Sequence, residues 1–400
     1  MNILLKNGFV FYGTTLQKLD ILIVNKKITK IAKEINMKGV NVIDISGLTV
    51  LPGLIDVHVH LREPGYENKE TIKTGTLAAA AGGFTHVCCM PNTKPVIDNL
   101  ASLNLVQKII NKDALINVYP YCALTINQQQ EKLVDFASLS KKCIAFSDDG
   151  KEIVNEDLIK EIAALAKKYK FLTVAHCEEY DTKNSGITNV QQHLEIVSKT
   201  NIPYHFCHIS TANSVKLIKQ AKLINKNITF EVTPHHLMFN RHTITDDGRF
   251  VMNPPISCSM NQQAIVSALC DGTVDIVASD HAPHTIKEKA KKQKSLNGVV
   301  GLETSFPVMY TNFVRNNKIN FKRLIDLMSF NPSRIFKLPK NEIVVGNIAN
   351  LAIFNLGKKY VVDPYTFKSK GKSTPFAKQL VYGKAVYTIC NGEIIYTNID

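Results

Sequence analysis

The sequence predicts an α/β protein: a (β/α)8 TIM barrel carrying a small β-sandwich domain built from both chain ends. Three observations lead there. From Gly53 onward, eight apolar runs rich in β-branched residues alternate with segments of helical period, and eight parallel strands close a barrel. Both chain ends instead carry short alternating β runs with Gly and Asn turns. Histidine and aspartate recur where five of the eight runs end, which is where such a barrel gathers its functional side chains.

Taken in order, residues 2–50 supply ILLKNGFVFY, DILIVNKKITKIA and NVIDISGLTV, whose alternation suits half-buried strands. The predicted barrel strands are 53–61, 84–90, 115–122, 143–149, 171–177, 204–209, 229–234 and 274–280. Between them, 69–81 (KETIKTGTLAAAA) reads as a helix stopped by Gly82-Gly83, 155–169 as a second, and 211–225 as a third capped by Ser210 or Thr211. Past the eighth strand, 301–316 and 321–336 are predicted to be helices, with a break at Asn331-Pro332 because proline lacks the donor a helix interior needs. The run Lys287–Lys294 is dense in lysine and is expected to be an exposed loop or helix. Residues 348–397 return to the style of the N-terminus (IANLAIFNL, AVYTICNGEIIY). The expected division is 1–52 and 345–400 for the small β domain and 53–344 for the barrel.

A hydrophobic content of 45% with 20% charged residues is that of a soluble globular enzyme and argues against disorder. No apolar stretch reaches bilayer length and no secretory signal opens the chain, so a cytoplasmic protein without membrane contact is expected. Nine cysteines, most of them inside apolar runs, read as reduced thiols packing as small hydrophobes. Cys177 and Cys207 adjoin histidines, but strand alternation points them to the opposite face, toward the core. The net charge of +14 comes from lysines spread along the chain without interleaved aromatics or a nucleic-acid-binding motif, so no nucleic-acid partner is expected. A positive field would still help to capture a small dianion.

The chemistry begins with Asp56-Val57-His58-Val59-His60-Leu61-Arg62. Residues i and i+2 of a strand share a face, so both imidazoles can reach one ion. Arg62 beside them offers a guanidinium fork to an anionic substrate. The fourth run ends at Asp148-Asp149, the fifth at His176, the sixth at His208 and the eighth at Asp280, so five strands aim ligands at one mouth. Four histidines with two carboxylates suit two adjacent Zn²⁺ ions. The pattern does not choose between Asp148 and Asp149. His86, His193, His205 and His242 read as ordinary core or surface residues, and His235, His236 and His281 as mouth-proximal with either a supporting or a structural role.

These motifs, together with Met90-Pro91-Asn92-Thr93, Phe146-Ser147-Asp148-Asp149-Gly150, Ala175-His176-Cys177-Glu178, Cys207-His208-Ile209-Ser210, Met252-Asn253-Pro254-Pro255 and Ser279-Asp280-His281-Ala282-Pro283-His284, resemble the bacterial dihydroorotase family of the amidohydrolase superfamily. The resemblance runs through essentially the whole chain in order. It implies that His58, His60 and Asp280 hold one zinc, that His176 and His208 hold the other, and that Asp149 bridges both, as in the subgroup using aspartate where many relatives use a carboxylated lysine. It also implies that Arg62, Asn92 and Asn253 bind substrate, that His284 touches it, and that Asn297-Gly298 gives backbone contacts. A homo-oligomer and an association with aspartate transcarbamoylase are expected on the same ground. One departure is visible: only 31 residues separate His176 from His208, and the stretch 181–200 is shorter than the family usually has. Residues 285–298 are expected to form a mobile loop over the mouth.

The activity implied is reversible hydrolysis of dihydroorotate to N-carbamoyl-aspartate in pyrimidine synthesis, with Asp280 moving the proton. The alternatives are another cyclic amidohydrolase (hydantoinase, dihydropyrimidinase or allantoinase), whose substrates lack the carboxylate that Arg62 would bind, and a non-catalytic dihydroorotase-like subunit of aspartate transcarbamoylase. Loss of ligands would mark the latter, and all six are present.

Overall fold

The computed structural model describes residues 2–177 and 188–398. Its centre is a ring of parallel strands. Leu54–Val59, Phe84–Cys89 and Asn117–Pro120 form one arc, and Thr173–Ala175, Tyr204–Phe206, Ile228–Val232 and Ile276–Val277 form the other. The run 143–149 forms no regular strand. Phe146 joins the arcs through single parallel bridges to Cys122 and Thr173, and the ladder persists as Ile144 N to Pro120 O (3.0 Å) and Ser147 N to Cys122 O (2.9 Å). Asp148 ends it, because its carboxylate accepts from the amides of Leu124 and Thr125 and turns the chain aside. The ring closes where Val59 bridges His281 and His60 N donates to His281 O at 2.8 Å.

Inside the ring, Ile55, Val57, Cys88, Tyr121, Val174 and Ile276 belong to one packed cluster completed by Phe336 and Leu338. The barrel is therefore a filled core, and its candidate ligands gather at the carboxyl-end mouth. Outside, the strands pack on helices that include Ile72–Ala81, Glu156–Tyr169 and Ala212–Ile224, whose caps are Thr71, Asn155 and Thr211. Asn189–Val197 continues the helical layer. Residues 181–187 of the shortened stretch, and Glu178 of its motif, lie outside the described residues.

The break expected at Asn331-Pro332 is absent. Helix runs unbroken from Phe321 to Ile335, passing through a π-turn at Asp326–Phe330, so that Pro332 falls at the start of the last helical segment. A wider turn there frees the position whose donor proline lacks.

The chain ends meet in one eight-stranded sheet. Thr49–Pro52 is its seam, parallel to Ile3–Tyr12 and antiparallel to Leu351–Val361, with Leu351 opposite Pro52. Thr15–Val24 and Lys27–Ala32 extend one side and Leu380–Cys390 and Glu393–Thr397 the other, while Asn41–Asp44 pairs with Ile3–Tyr12. Its own apolar cluster, from Ile3, Val10 and Ile21 to Val50, Ile353 and Ile389, draws on both ends.

Candidate active site

The first barrel strand sets the site by breaking its own alternation. Ile55 and Val57 belong to the inner cluster, whereas Val59 and Leu61 pack with the outer helices. A register irregularity between Asp56 and Val59 makes the switch, held by Asp56 Oδ1 accepting from His58 N at 3.1 Å and Asp56 Oδ2 from Ser279 N at 3.1 Å. His58 and His60 are thereby turned together into the mouth. Burial pushes the Asp56 carboxyl up to about 7 against these hydrogen bonds.

Around them stand Asp149, His176, His208 and Asp280, all buried. His58 Nε2 lies 3.2 Å from Asp149 Oδ1 and 3.5 Å from Asp280 Oδ1, and His60 Nε2 lies 3.5 Å from Asp149 Oδ2 and 3.3 Å from Asp280 Oδ1. His176 Nδ1 is 3.3 Å from Asp149 Oδ1 and 2.9 Å from His208 Nε2. The choice left open at 148–149 falls to Asp149, since Asp148 is spent on Leu124 and Thr125. His208 and Asp280 have left-handed backbones, with φ of 28° and 47°, uncommon for residues other than glycine and a mark of strain at functional sites.

Burial opposes charge here, and the carboxylates outweigh it at His58. Desolvation would lower its pKa, but Glu231 and Asp149 hold it well above the ordinary imidazole value. Asp149, which burial would raise, is held well below the carboxylate range by His58 and His176. His208 is pushed well down by burial and by its neighbours His176 and His58.

Among the described residues, His58 Nε2, Asp149 Oδ1 and His208 Nδ1 are buried without a hydrogen-bond partner. Orphaned polar atoms at the centre of a His and Asp cluster fit a metal ion, which would satisfy them together. Two donor groups are close enough to hold one: His58, His60 and Asp280, and His58, Asp149, Cys207 and His208. Cys207 departs from the alternation argument. It packs in the inner cluster, yet its sulfur also reaches the ligand group, because the regular strand ends at Phe206 and the turn at His208 breaks the two-residue period.

The mouth is a cavity of about 180 Å³ lined by His60, Arg62, Asn92, Asp149, Asn253 and Asp280, with Asn297 and Gly298 at its rim. Arg62 is not a surface ion pair: its Nε donates to Pro283 O (3.1 Å) and its Nη2 lies 3.3 Å from His284 Nε2. His284 accordingly sits behind Arg62 and does not itself line the cavity; its Nε2 is 2.7 Å from Asn297 O. Asn92 faces the ligands as well as the cavity, with Oδ1 3.0 Å from His60 Nδ1 and Nδ2 3.2 Å from Asp149 Oδ2. Asn253 Nδ2 lies 3.4 Å from His176 Nε2. Gly298 needs to be glycine: its φ is 130° and a Cβ would lie 2.6 Å from Ala282 O.

Residues 285–298 form two short turns, Ile286–Lys289 and Lys292–Lys294, and reach the cavity at Asn297 and Gly298. The lysine run is not wholly exposed. Lys289 is buried and its Nζ donates to Val251 O (2.9 Å) and Leu296 O (2.8 Å), while Lys69 pairs with Glu288 at 3.1 Å.

A family model described as Dihydro-orotase-like matches residues 47–199. A dihydroorotase of Bacillus cytotoxicus is 40% identical, with 99% of this chain and 98% of that protein aligned, and one of Listeria innocua is 40% identical over 98% of each. The chain belongs to the dihydroorotase family. The first alignment spans 421 positions against the 400 residues here, so that relative carries residues this chain lacks. An L-hydantoinase of Arthrobacter aurescens (TM-score 0.87, 22% identity, covering 100% of this chain and 97% of that one) shares the fold. So does a dihydropyrimidinase of Brevibacillus agri, with a TM-score of 0.88, 21% identity and coverage of 100% and 95%.

The other histidines divide. His86 bonds Thr85 and His193 bonds Tyr204, His242 is exposed, and His236 spans Thr233 and Pro254. His281 Nε2 stands 3.4 Å from the buried Glu70. His205, predicted to be ordinary core, is buried but joined to Glu231, and Glu231 to His58. Glu231 was the signal missed: one carboxylate in the buried run Ile228–Val232, which otherwise holds only Ile, Thr, Phe and Val.

Proposed function

We propose that the chain opens the cyclic amide of (S)-dihydroorotate to N-carbamoyl-L-aspartate, and closes it in the reverse direction, as a step of pyrimidine synthesis. The observation carrying this is Arg62 on the wall of a small cavity that also exposes Asp149, His176 and Asp280. A guanidinium anchored from behind by Pro283 O, with His284 beside it, matches a ring carboxylate. Hydantoin and dihydrouracil carry no such group. The hydantoinase-like fold is consistent with ring-opening amide chemistry, but the guanidinium favours the anionic ring.

His58, His60 and Asp280 would hold one Zn²⁺ and His176 and His208 another, with Asp149 between them. When bound, such ions supply Lewis acidity and a water whose pKa falls to about 7. The side chains do the rest. Asn92 Oδ1 accepts from His60 Nδ1, leaving His60 Nε2 bare toward the carboxylates, and the second hydrogen of its amide is free for the substrate. Asn253 and the main chain of Asn297 and Gly298 read the ureido edge. The carboxylate of Asp280 takes the proton of the attacking water and passes it to the departing ring nitrogen; in ring closure it runs the transfer backwards.

The reading extends to the division into a barrel (53–344) and a terminal β-sandwich domain (1–52 with 345–400), and to a cytoplasmic homo-oligomer able to meet aspartate transcarbamoylase. Sedimentation of the chain alone and mixed with that enzyme tests the assembly. The activity is tested by assaying the purified protein on dihydroorotate, hydantoin, dihydrouracil and allantoin, with metal content measured on the same sample. Turnover of dihydroorotate well above the uncharged rings is expected; preference for an uncharged ring would overturn the assignment.

A further inference from the structure

Glu231 is a buried carboxylate whose ion-pair partners, among the described residues, are histidines alone. Its neighbours on the strand, Phe230 and Val232, are apolar, and an apolar residue would fill the position at less cost, because burying an ionised carboxylate is unfavourable unless it is paired and fully hydrogen-bonded. Its bonds form a built arrangement. Oε1 lies 2.6 Å from His58 Nδ1 and accepts from the backbone N of His208 at 3.3 Å, while Oε2 lies 3.2 Å from His205 Nε2. His205 is fixed in turn by Thr229 Oγ1, 2.8 Å from its Nδ1.

We propose that Glu231 is a positioning residue that fixes His58 as an Nε2 metal ligand, and that His205 fixes Glu231; this rests on the metal-site reading above. The geometry leaves His58 one useful tautomer. With its hydrogen on Nδ1, the ring donates to Glu231 and presents a bare Nε2 to the centre of the cluster. With the hydrogen on Nε2, a lone pair would face the Glu231 carboxylate at 2.6 Å. That second tautomer would otherwise be favoured, since Asp149 and Asp280 stand 3.2 Å and 3.5 Å from Nε2 and attract a hydrogen there. Two anions on the ligand side thus make a third anion behind the ring necessary, and Glu231 supplies it. The same Oε1 holds the amide of His208, tying together two candidate ligands from different strands, one of them on a left-handed backbone.

Glu231→Gln keeps the size and removes the charge, and His205→Gln keeps Glu231 but loosens its anchor. Each protein is stripped with chelator and titrated with Zn²⁺, reading affinity by chelator competition and the thermal midpoint with and without the ion. Steady-state kinetics on dihydroorotate follow. Glu231→Gln should bind Zn²⁺ about 10- to 100-fold more weakly, the usual effect of losing a partner behind a ligand histidine. Its metal-free midpoint should stay close to that of the wild type, the gain on adding Zn²⁺ should shrink, and kcat should fall with little change in KM because Arg62 is untouched. His205→Gln should move the same quantities less. A role in packing alone predicts the opposite pattern, a lower metal-free midpoint with unchanged Zn²⁺ affinity, and that result overturns the proposal. Should Glu231→Gln not fold, His205→Gln decides, and wild-type affinity there overturns it. A wild type that binds Zn²⁺ without opening dihydroorotate defeats the functional reading while leaving this proposal tested; one that binds no Zn²⁺ overturns both.

Discussion

Replacing Arg62 by Met removes the guanidinium but keeps much of the apolar stem, so the change falls on whatever anion the cavity holds. In the structure the Nε hydrogen goes to Pro283 O, and Nη2 lies beside His284, whose Nε2 is engaged by Asn297 O, which leaves the terminal guanidinium hydrogens for the cavity. Two charge-assisted bonds to a carboxylate are then at stake. Such bonds contribute about 1.5–3 kcal/mol each and are not fully additive, so a loss of about 3 kcal/mol is the central expectation. That is on the order of 100-fold in kcat/KM for dihydroorotate. Arg62 also braces the rim, so part of any loss could be structural, and dihydrouracil separates the two causes: it has the ring amide without the carboxylate. Loss of the carboxylate contact damages dihydroorotate turnover alone, whereas a loosened rim damages both. Equal losses on the two substrates, or none on dihydroorotate, would refute the reasoning, and Arg62→Lys should recover only part of the activity because an ammonium cannot present a fork.

Asp280→Ala should leave a folded protein whose turnover falls by on the order of 10³-fold or more, as removal of a proton-transferring group does; near-normal turnover removes Asp280 from that role. Chelation should abolish activity and lower stability by about 3 kcal/mol relative to protein held at 100 times the dissociation constant of the ion, read as a fall in the thermal midpoint restored by Zn²⁺. Tyr121→Phe deletes a buried hydroxyl that donates to Val57 O at 2.8 Å and should cost about 1 kcal/mol in urea unfolding. Partial burial against the segment 367–369 pushes the Glu303 carboxyl up to about 7, against hydrogen bonds from the amides of Lys368 and Ser369 and with the Glu70 charge adding to the rise. The folded chain therefore holds the proton more tightly than the unfolded chain between the ordinary glutamate value of 4.5 and about 7. The Glu303 contribution to stability is thus lost as pH rises through that window. Glu303→Gln should flatten this part of the stability profile, and an unchanged slope would show that Glu303 does not titrate there.

The candidate site was legible in the sequence to the extent that its residues are chemically out of place. Two histidines at the end of an apolar strand, or an Asp-Asp pair after Phe146, have no packing reason to be there, and the carboxyl-end rule of parallel barrels predicts one destination for them. What could not be read is what depends on partners distant in the chain. His205 looks like a core residue until Glu231 is placed against it, and Cys207 looks turned away until the strand is seen to stop at Phe206. Asp148 and Asp149 are identical in type and adjacent, and only the amides of Leu124 and Thr125 decide which one leaves the cavity.

By itself the sequence determined the alternation of strands and helices, the candidate cation ligands, and the guanidinium beside them, because period and chemical type are local properties of the chain. Tertiary structure alone decided that the ends pair across Thr49–Pro52, that a π-turn carries the helix past Pro332, and that a carboxylate 173 positions from His58 meets its Nδ1. Those outcomes depend on which atoms meet in space. A hydrogen bond is worth making only between groups that packing has already brought to about 3 Å and removed from water.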